Sequence, residues 1–138
     1  MILKIFTDGG SKGNPGPAAV GIVMYKDDVE CVAFRRDIGV ATNNDAEYQA
    51  LLAALQHVVD HEDILQGVTA IECRADSQLM VSQVRGLWKV KEARIGEYIA
   101  RLRNIEGSIS VPISYHYVPR EQNSIADALV NDKHPTTH

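Results

Sequence analysis

Alternating apolar and polar positions divide the chain into five short stretches that suit strands and four that suit helices. In the first stretch Leu3, Ile5 and Thr7 fall on one side and Ile2, Lys4, Phe6 and Asp8 on the other, a period of two that predicts a strand ending at Asp8. Strand character returns over residues 18–25 and, after a polar turn at 26–28, over 29–34, which predicts an antiparallel meander. Glu47, Leu51, Ala54, Leu55 and Val58 then recur at helical spacing and predict a helix over about 44–61, with N-cap candidates in the segment 42–45. A strand over 69–75 leads into a short helix containing Leu79, Met80, Val81 and Val84, and a longer helix buries Ile95, Ile99, Leu102 and Ile105. A last strand over 113–118 precedes a closing helix from about 123 to 130 with Ala126, Leu129 and Val130 inward. The order βββαβααβα predicts an α/β fold in which two further strands join the meander through helical crossovers. Residues 1–131 are expected to form one domain and 132–138 a flexible C-terminal tail containing His134 and His138.

Four carboxylates break this pattern. Asp8 ends a core strand and is followed by Gly9, Gly10, Gly13 and Gly16, which either starts a turn or builds a site where backbone lies close to another chain. Glu47 shares the stripe of Leu51 and Leu55, in the first helical turn, where a solvated Glu would point outwards. Asp76 ends a second strand, at the edge where open α/β sheets bind ligands, and is equally placed to cap the next helix. Asp127 lies beside the inward face of the closing helix. If all four converge on one sheet edge they raise each other's pKa, and divalent cations resolve the conflict, with oxygen-only ligation suiting Mg²⁺.

Composition narrows the setting. A chain of 138 residues with 45% apolar and 23% charged positions is long enough for one stapled-free core. Only Cys31 and Cys73 occur, both in predicted strands, so a disulfide framework or zinc site has no support and a reducing, cytoplasmic setting is expected. No window approaches a membrane span. A net charge of −4 excludes coating nucleic acid through bulk electrostatics but not an enzyme acting on it. Lys89, Lys91, Arg94, Arg101 and Arg103 make the region after Gly86 the most basic, read either as a solvated helix face or as a contact with a sugar-phosphate backbone.

Four motifs, TDGGSKGNPGP at 7–17, TNNDAEYQALLAAL at 42–55, ADSQLMV at 75–81 and VPREQNSIADALVN at 118–131, resemble those of the type 1 ribonucleases H, in the family's order and nearly end to end. The resemblance implies a ribonuclease H-like fold, a mixed five-stranded sheet flanked by helices. It implies hydrolysis of the RNA strand of RNA/DNA hybrids, leaving 5′-phosphate and 3′-hydroxyl ends. Asp8, Glu47, Asp76 and Asp127 would be the catalytic and metal-binding quartet, holding two Mg²⁺ ions about 4 Å apart, with Mn²⁺ as the expected substitute. Gly9, Gly10, Asn14, Asn43, Asn44 and Gln78 match family positions that meet the hybrid, Thr42 one that binds a DNA phosphate, and Trp88 one that lines the DNA channel.

The chain also departs from the family pattern. The histidine that many relatives carry six residues before Asn123 is Tyr117 here, and the neighbouring His116 should face the other side of its strand. Slower turnover is expected, or a substitute from the tail such as His134. The short stretch between Gly86 and the Ile95 helix leaves no room for the basic protruding helix of some relatives, and no separate hybrid-binding domain is expected, so binding should be modest and salt-sensitive. The rival readings are a non-catalytic nucleic-acid-binding scaffold and a 3′ to 5′ exonuclease sharing the sheet. The expected partner is an RNA/DNA hybrid, with no membrane and no second copy.

Overall fold

A computed structural model describes residues 1–136; His138 lies outside the described residues. Five strands, β1 (Ile2–Ser11), β2 (Gly16–Lys26), β3 (Val29–Ala41), β4 (Ala70–Ala75) and β5 (Ile113–Tyr117), form one sheet in the order β3-β2-β1-β4-β5. The β1–β2 and β2–β3 pairs are antiparallel, while β4 runs parallel to both β1 and β5. The helices are α1 (Asn43–Asp60), α2 (Gln78–Val84), α3 (Ala93–Glu106) and α4 (Ser124–Val130), with 3₁₀ turns at Glu62–Leu65 and Arg120–Gln122. The predicted mixed sheet and element order are both present.

The alternation of β1 decides the layering. Leu3, Ile5 and Thr7 are fully buried on the face covered by α1, where Ile22, Met24, Leu51, Leu55, Ile71, Met80, Ile95 and Leu102 complete the main core. Among the described residues the other face carries one helix, α4, whose Ala126 and Leu129 pack on Val23 and Ala33 beside Phe6 and Tyr25. One face is therefore deep and the other thin, and Asp8 shares the thin face with Phe6.

Two strands outrun their hydrophobic patterns. β1 continues three residues past Asp8, because Gly9, Gly10 and Ser11 pair with Val20, Ala19 and Ala18 through backbone alone. β3 runs to Ala41 rather than Phe34, pairing with β2 as far as Gly16, with register shifts near Ala18 and Tyr25. Backbone ladders need no apolar side chains, so periodicity cannot see these ends. Asp8 thus lies inside a strand, opposite Gly21, rather than at its end. After α4 the chain closes in a Schellman turn: Lys133 N donates to Ala128 O at 2.7 Å, Asp132 N to Leu129 O at 3.1 Å, and Asp132 is left-handed at φ 57.

Candidate active site

Two glycines let helices come down onto the sheet beside Asp8. A β-carbon at Gly9 would lie 2.2 Å from the carbonyl of Ala46, so the first turn of α1 rests directly on β1 and delivers Glu47 to Asp8. A β-carbon at Gly21 would lie 2.3 Å from the carbonyl of Ala126, so α4 rests on β2 and delivers Asp127 from the other side. Asp76 follows the end of β4, the parallel neighbour of β1. It does not cap α2: that role falls to Ser77, whose hydroxyl accepts from Met80 N at 3.2 Å.

Carboxylate oxygens of Asp8, Glu47 and Asp76 all come within 4.8 Å of one another. Asp127 stands within hydrogen-bond reach of Asp8 but outside that trio, so all four predicted acids converge around Asp8. Their electrostatics conflict. Burial first, and the Asp76 and Asp127 charges after it, raise Asp8 to a pKa of about 7. Burial and the Asp8 and Asp76 charges likewise push Glu47 well above the ordinary carboxylate range. Glu47 Oε2 is buried without a hydrogen-bond partner. An all-oxygen donor set with one orphaned buried oxygen and too many negative charges fits a hard divalent cation.

The cluster opens into a groove of about 760 Å³ whose walls also carry Lys12, Arg35, Arg120 and Lys133. Arg120 Nε is 4.0 Å from Asp76, on a side chain 85% exposed. These cations line a groove that is otherwise acidic at its floor. The charge pattern of the sequence singled out none of them, because they are scattered over two loops, β3 and a 3₁₀ turn, and the basic run it did single out lies on and before α3.

The predicted substrate-binding residues divide into three groups. Gly9 and Gly10 lie on the groove floor. Asn14 and Asn43 tie the glycine loop to α1: Ser11 N donates to Asn43 Oδ1 at 2.9 Å, and Asn43 N to Asn14 Oδ1 at 3.0 Å. Neither caps α1, which Thr42 does in a capping box with Asp45, while Asn44 sits half-buried in the first turn. The Thr42 hydroxyl donates to Asp45 Oδ2 at 2.9 Å and accepts from Asp45 N at 3.1 Å, so its only hydrogen is committed within the cap. Gln78 opens α2, exposed, two residues beyond Asp76, and Trp88, 47% exposed, stands on the α2–α3 connector outside the acid cluster.

The histidines fall as strand alternation requires. His116 Nε2 lies 2.8 Å from Ser114 Oγ on one face of β5, and Tyr117, 48% exposed, is on the other. His134, the suggested tail substitute, instead meets Glu30 at 3.2 Å. Glu30 is five residues from Arg35 on β3, roughly 17 Å down the strand at about 3.4 Å per residue, so His134 does not reach the cluster.

A family model described as reverse transcriptase-like matches residues 6–133. Ribonuclease HI of Halobacterium salinarum is 43% identical over 128 residues, which is 92% of this chain and 61% of that protein. The crystal structure of RNase H1 from Halobacterium salinarum superposes with a TM-score of 0.86 at 39% identity, covering 96% of this chain and 97% of the other. The chain belongs to the ribonuclease H family. A second ribonuclease H structure, that of LC11-RNase H1 in complex with RNA/DNA hybrid, matches with a TM-score of 0.82 at 37% identity over 94% of both chains. The chain spans about three fifths of the length of the Halobacterium ribonuclease HI.

Proposed function

We propose that the protein is an endoribonuclease that hydrolyses the RNA strand of RNA/DNA hybrids and leaves 5′-phosphate and 3′-hydroxyl ends. The observation that carries this is the meeting of Asp8, Glu47 and Asp76 within 4.8 Å, with Glu47 Oε2 buried and unpartnered, in a chain of the ribonuclease H family. A scaffold that only bound nucleic acid would have no use for a cluster whose ionisation opposes itself. Residues 1–131 form the domain that supplies all four acids, and Lys133 on the groove wall comes from just beyond it.

Asp8, Glu47, Asp76 and Asp127 would hold two Mg²⁺ ions, with Mn²⁺ able to replace them. Divalent cations bound there supply Lewis-acid polarisation of the phosphate and a water of lowered pKa. The rest of the work falls to the chain. Asp8, reached by Glu47 and Asp127 from opposite sides, is the centre on which the acids are oriented. Lys12, Arg120 and Lys133 draw phosphates into the groove against the net negative charge. Backbone at Gly9 and Gly10, with no side chain in the way, lets the RNA strand lie against β1. Asn14, Asn43, Asn44 and Gln78 would read 2′-hydroxyls of the RNA strand, and Thr42 and Trp88 would meet the DNA strand. In the in-line step a water oxygen bonds to phosphorus as the 3′-oxygen leaves and takes a proton.

Two free thiols, Cys31 and Cys73, suit a reducing compartment, and we place the protein in the cytoplasm. Among the described residues no helix is long and apolar enough to cross a membrane. Among the described residues the large exposed apolar side chains are spread over the N-terminus, β3, α2, the α2–α3 connector and β5, which supports a monomer.

The test is cleavage of an end-labelled RNA/DNA hybrid with Mg²⁺, Mn²⁺ or chelator, beside duplex DNA, duplex RNA and single-stranded RNA. Internal cuts confined to the RNA of the hybrid, abolished by chelator and by Asp8→Asn, are expected. Stepwise shortening from the 3′ end would point to an exonuclease, and binding without cleavage to a scaffold.

A further inference from the structure

Helix α4 carries Asp127, yet it is only seven residues long and opens on Asn123 without a side-chain cap. A helix that short has little stability of its own, so its contacts decide where it sits. Beneath it lies Gly21, which sets its height above the sheet. Its far end is held sideways by one residue 94 positions away in sequence. Arg35 on β3 donates through Nε to the carbonyl of Leu129 at 3.1 Å and through Nη2 to that of Val130 at 3.5 Å. Asp37 grips the same guanidinium at 3.1 and 3.4 Å. The carbonyls it meets belong to the last turn, where Leu129 O also accepts from Asp132 N and a cation faces the negative end of the helix dipole.

We infer that Arg35 is a positioning residue that locks α4 to β3 so that Asp127 stays beside Asp8, and that it thereby sets the affinity of the acid cluster for divalent cation on the Asp127 side. This rests on reading the cluster as a metal centre. Arg35 also lines the groove, and a direct contact with a substrate phosphate is the competing role.

The test titrates Mn²⁺ into the whole chain without nucleic acid, reading free ion by EPR, for wild type, Arg35→Met, Arg35→Lys, Asp127→Asn and the Arg35→Met/Asp127→Asn double variant. Arg35→Met should weaken Mn²⁺ binding about tenfold, as outer-shell substitutions at metal sites do. It should add nothing in the Asp127→Asn background, because the two act through one group. Arg35→Lys, with a single ammonium to offer, should fall between. In hybrid cleavage kcat should drop while KM stays within about twofold of wild type, since the competing role acts on ground-state binding. Should Arg35→Met be poorly folded by circular dichroism, Asp37→Asn loosens the same guanidinium and should shift Mn²⁺ binding in the same direction by less. An unchanged Mn²⁺ midpoint with a raised KM would make Arg35 a phosphate contact and overturn the inference, as would additive losses in the double variant. Failure of the wild type itself to bind Mn²⁺ would instead overturn the metal-centre reading, and this inference with it.

Discussion

Gly21 faces Asp8 across the β1–β2 ladder, and the carbonyl of Ala126 fills the space that a side chain at Gly21 would need. The missing side chain on one strand is what allows a second helix to bring an acid to the carboxylate on the next. Gly21→Ala should lift α4, cost about 1–3 kcal/mol of stability as overpacking does, and lower hybrid cleavage at least tenfold. Gly96→Ala is the matching control: on an exposed turn of α3 with open space around it, it should add about 0.5–1 kcal/mol and leave cleavage unchanged. Thermal unfolding and initial rates on the two variants separate strain at the site from loss of a glycine.

The raised pKa of Asp8 has a sign for stability. Folded, its pKa is about 7 against an ordinary 3.8, so between those values the folded protein holds a proton that the unfolded chain has released. Metal-free protein should therefore lose stability as pH rises from about 4 to 7, by on the order of a few kcal/mol. Asp8→Asn should flatten that slope and raise the melting temperature at pH 8 while abolishing cleavage. Divalent cation has to displace the protons on Asp8 and Glu47, so its affinity should climb with pH over the same range. Chemical denaturation at a series of pH values, with and without Mg²⁺, reads both trends.

Asn43 ties the glycine loop to α1 through its side chain and, by its amide, to Asn14. Asn43→Ala removes the acceptor for Ser11 N, and about 1 kcal/mol of stability should go with it. Hybrid affinity should fall further than stability, with the loss appearing mainly in KM. Equal proportional losses on duplex DNA and hybrid binding would contradict a role in telling the strands apart.

The histidine positions give the sharpest local test. His116→Ala and His134→Ala should each leave turnover within about twofold, because one side chain meets Ser114 and the other Glu30. Tyr117→His places an imidazole at the half-exposed family position and should raise turnover. A collapse of activity in His116→Ala would mean that β5 is a residue out of register.

Much of this was legible in the residues, and for identifiable reasons. Leu3 and Ile5, or Leu51 and Leu55, announce their faces by spacing, and Glu47 announced itself by standing on a stripe meant for Leu. Polar intruders in an apolar pattern carry information because burying them has a cost. The overhanging ends of β1 and β3 were hidden, since backbone pairing leaves no side-chain periodicity. So was Arg35, one of two adjacent arginines with nothing in the sequence to tell that it reaches Leu129. Thr42 was legible as a helix start, but the commitment of its hydroxyl to Asp45 was not, because that depends on bond directions.

Asp45 has a reach beyond the cap it completes. Besides Thr42, it accepts from Arg94 Nε at 2.8 Å and from the Tyr98 hydroxyl at 3.3 Å, both on α3. The basic end of α3 is thus riveted to α1 two residues before Glu47. A single carboxylate thereby ties three things together, the start of α1, the first turns of α3 and the backbone that carries Glu47, so loosening Asp45 would be felt in the acid cluster without touching any of its members.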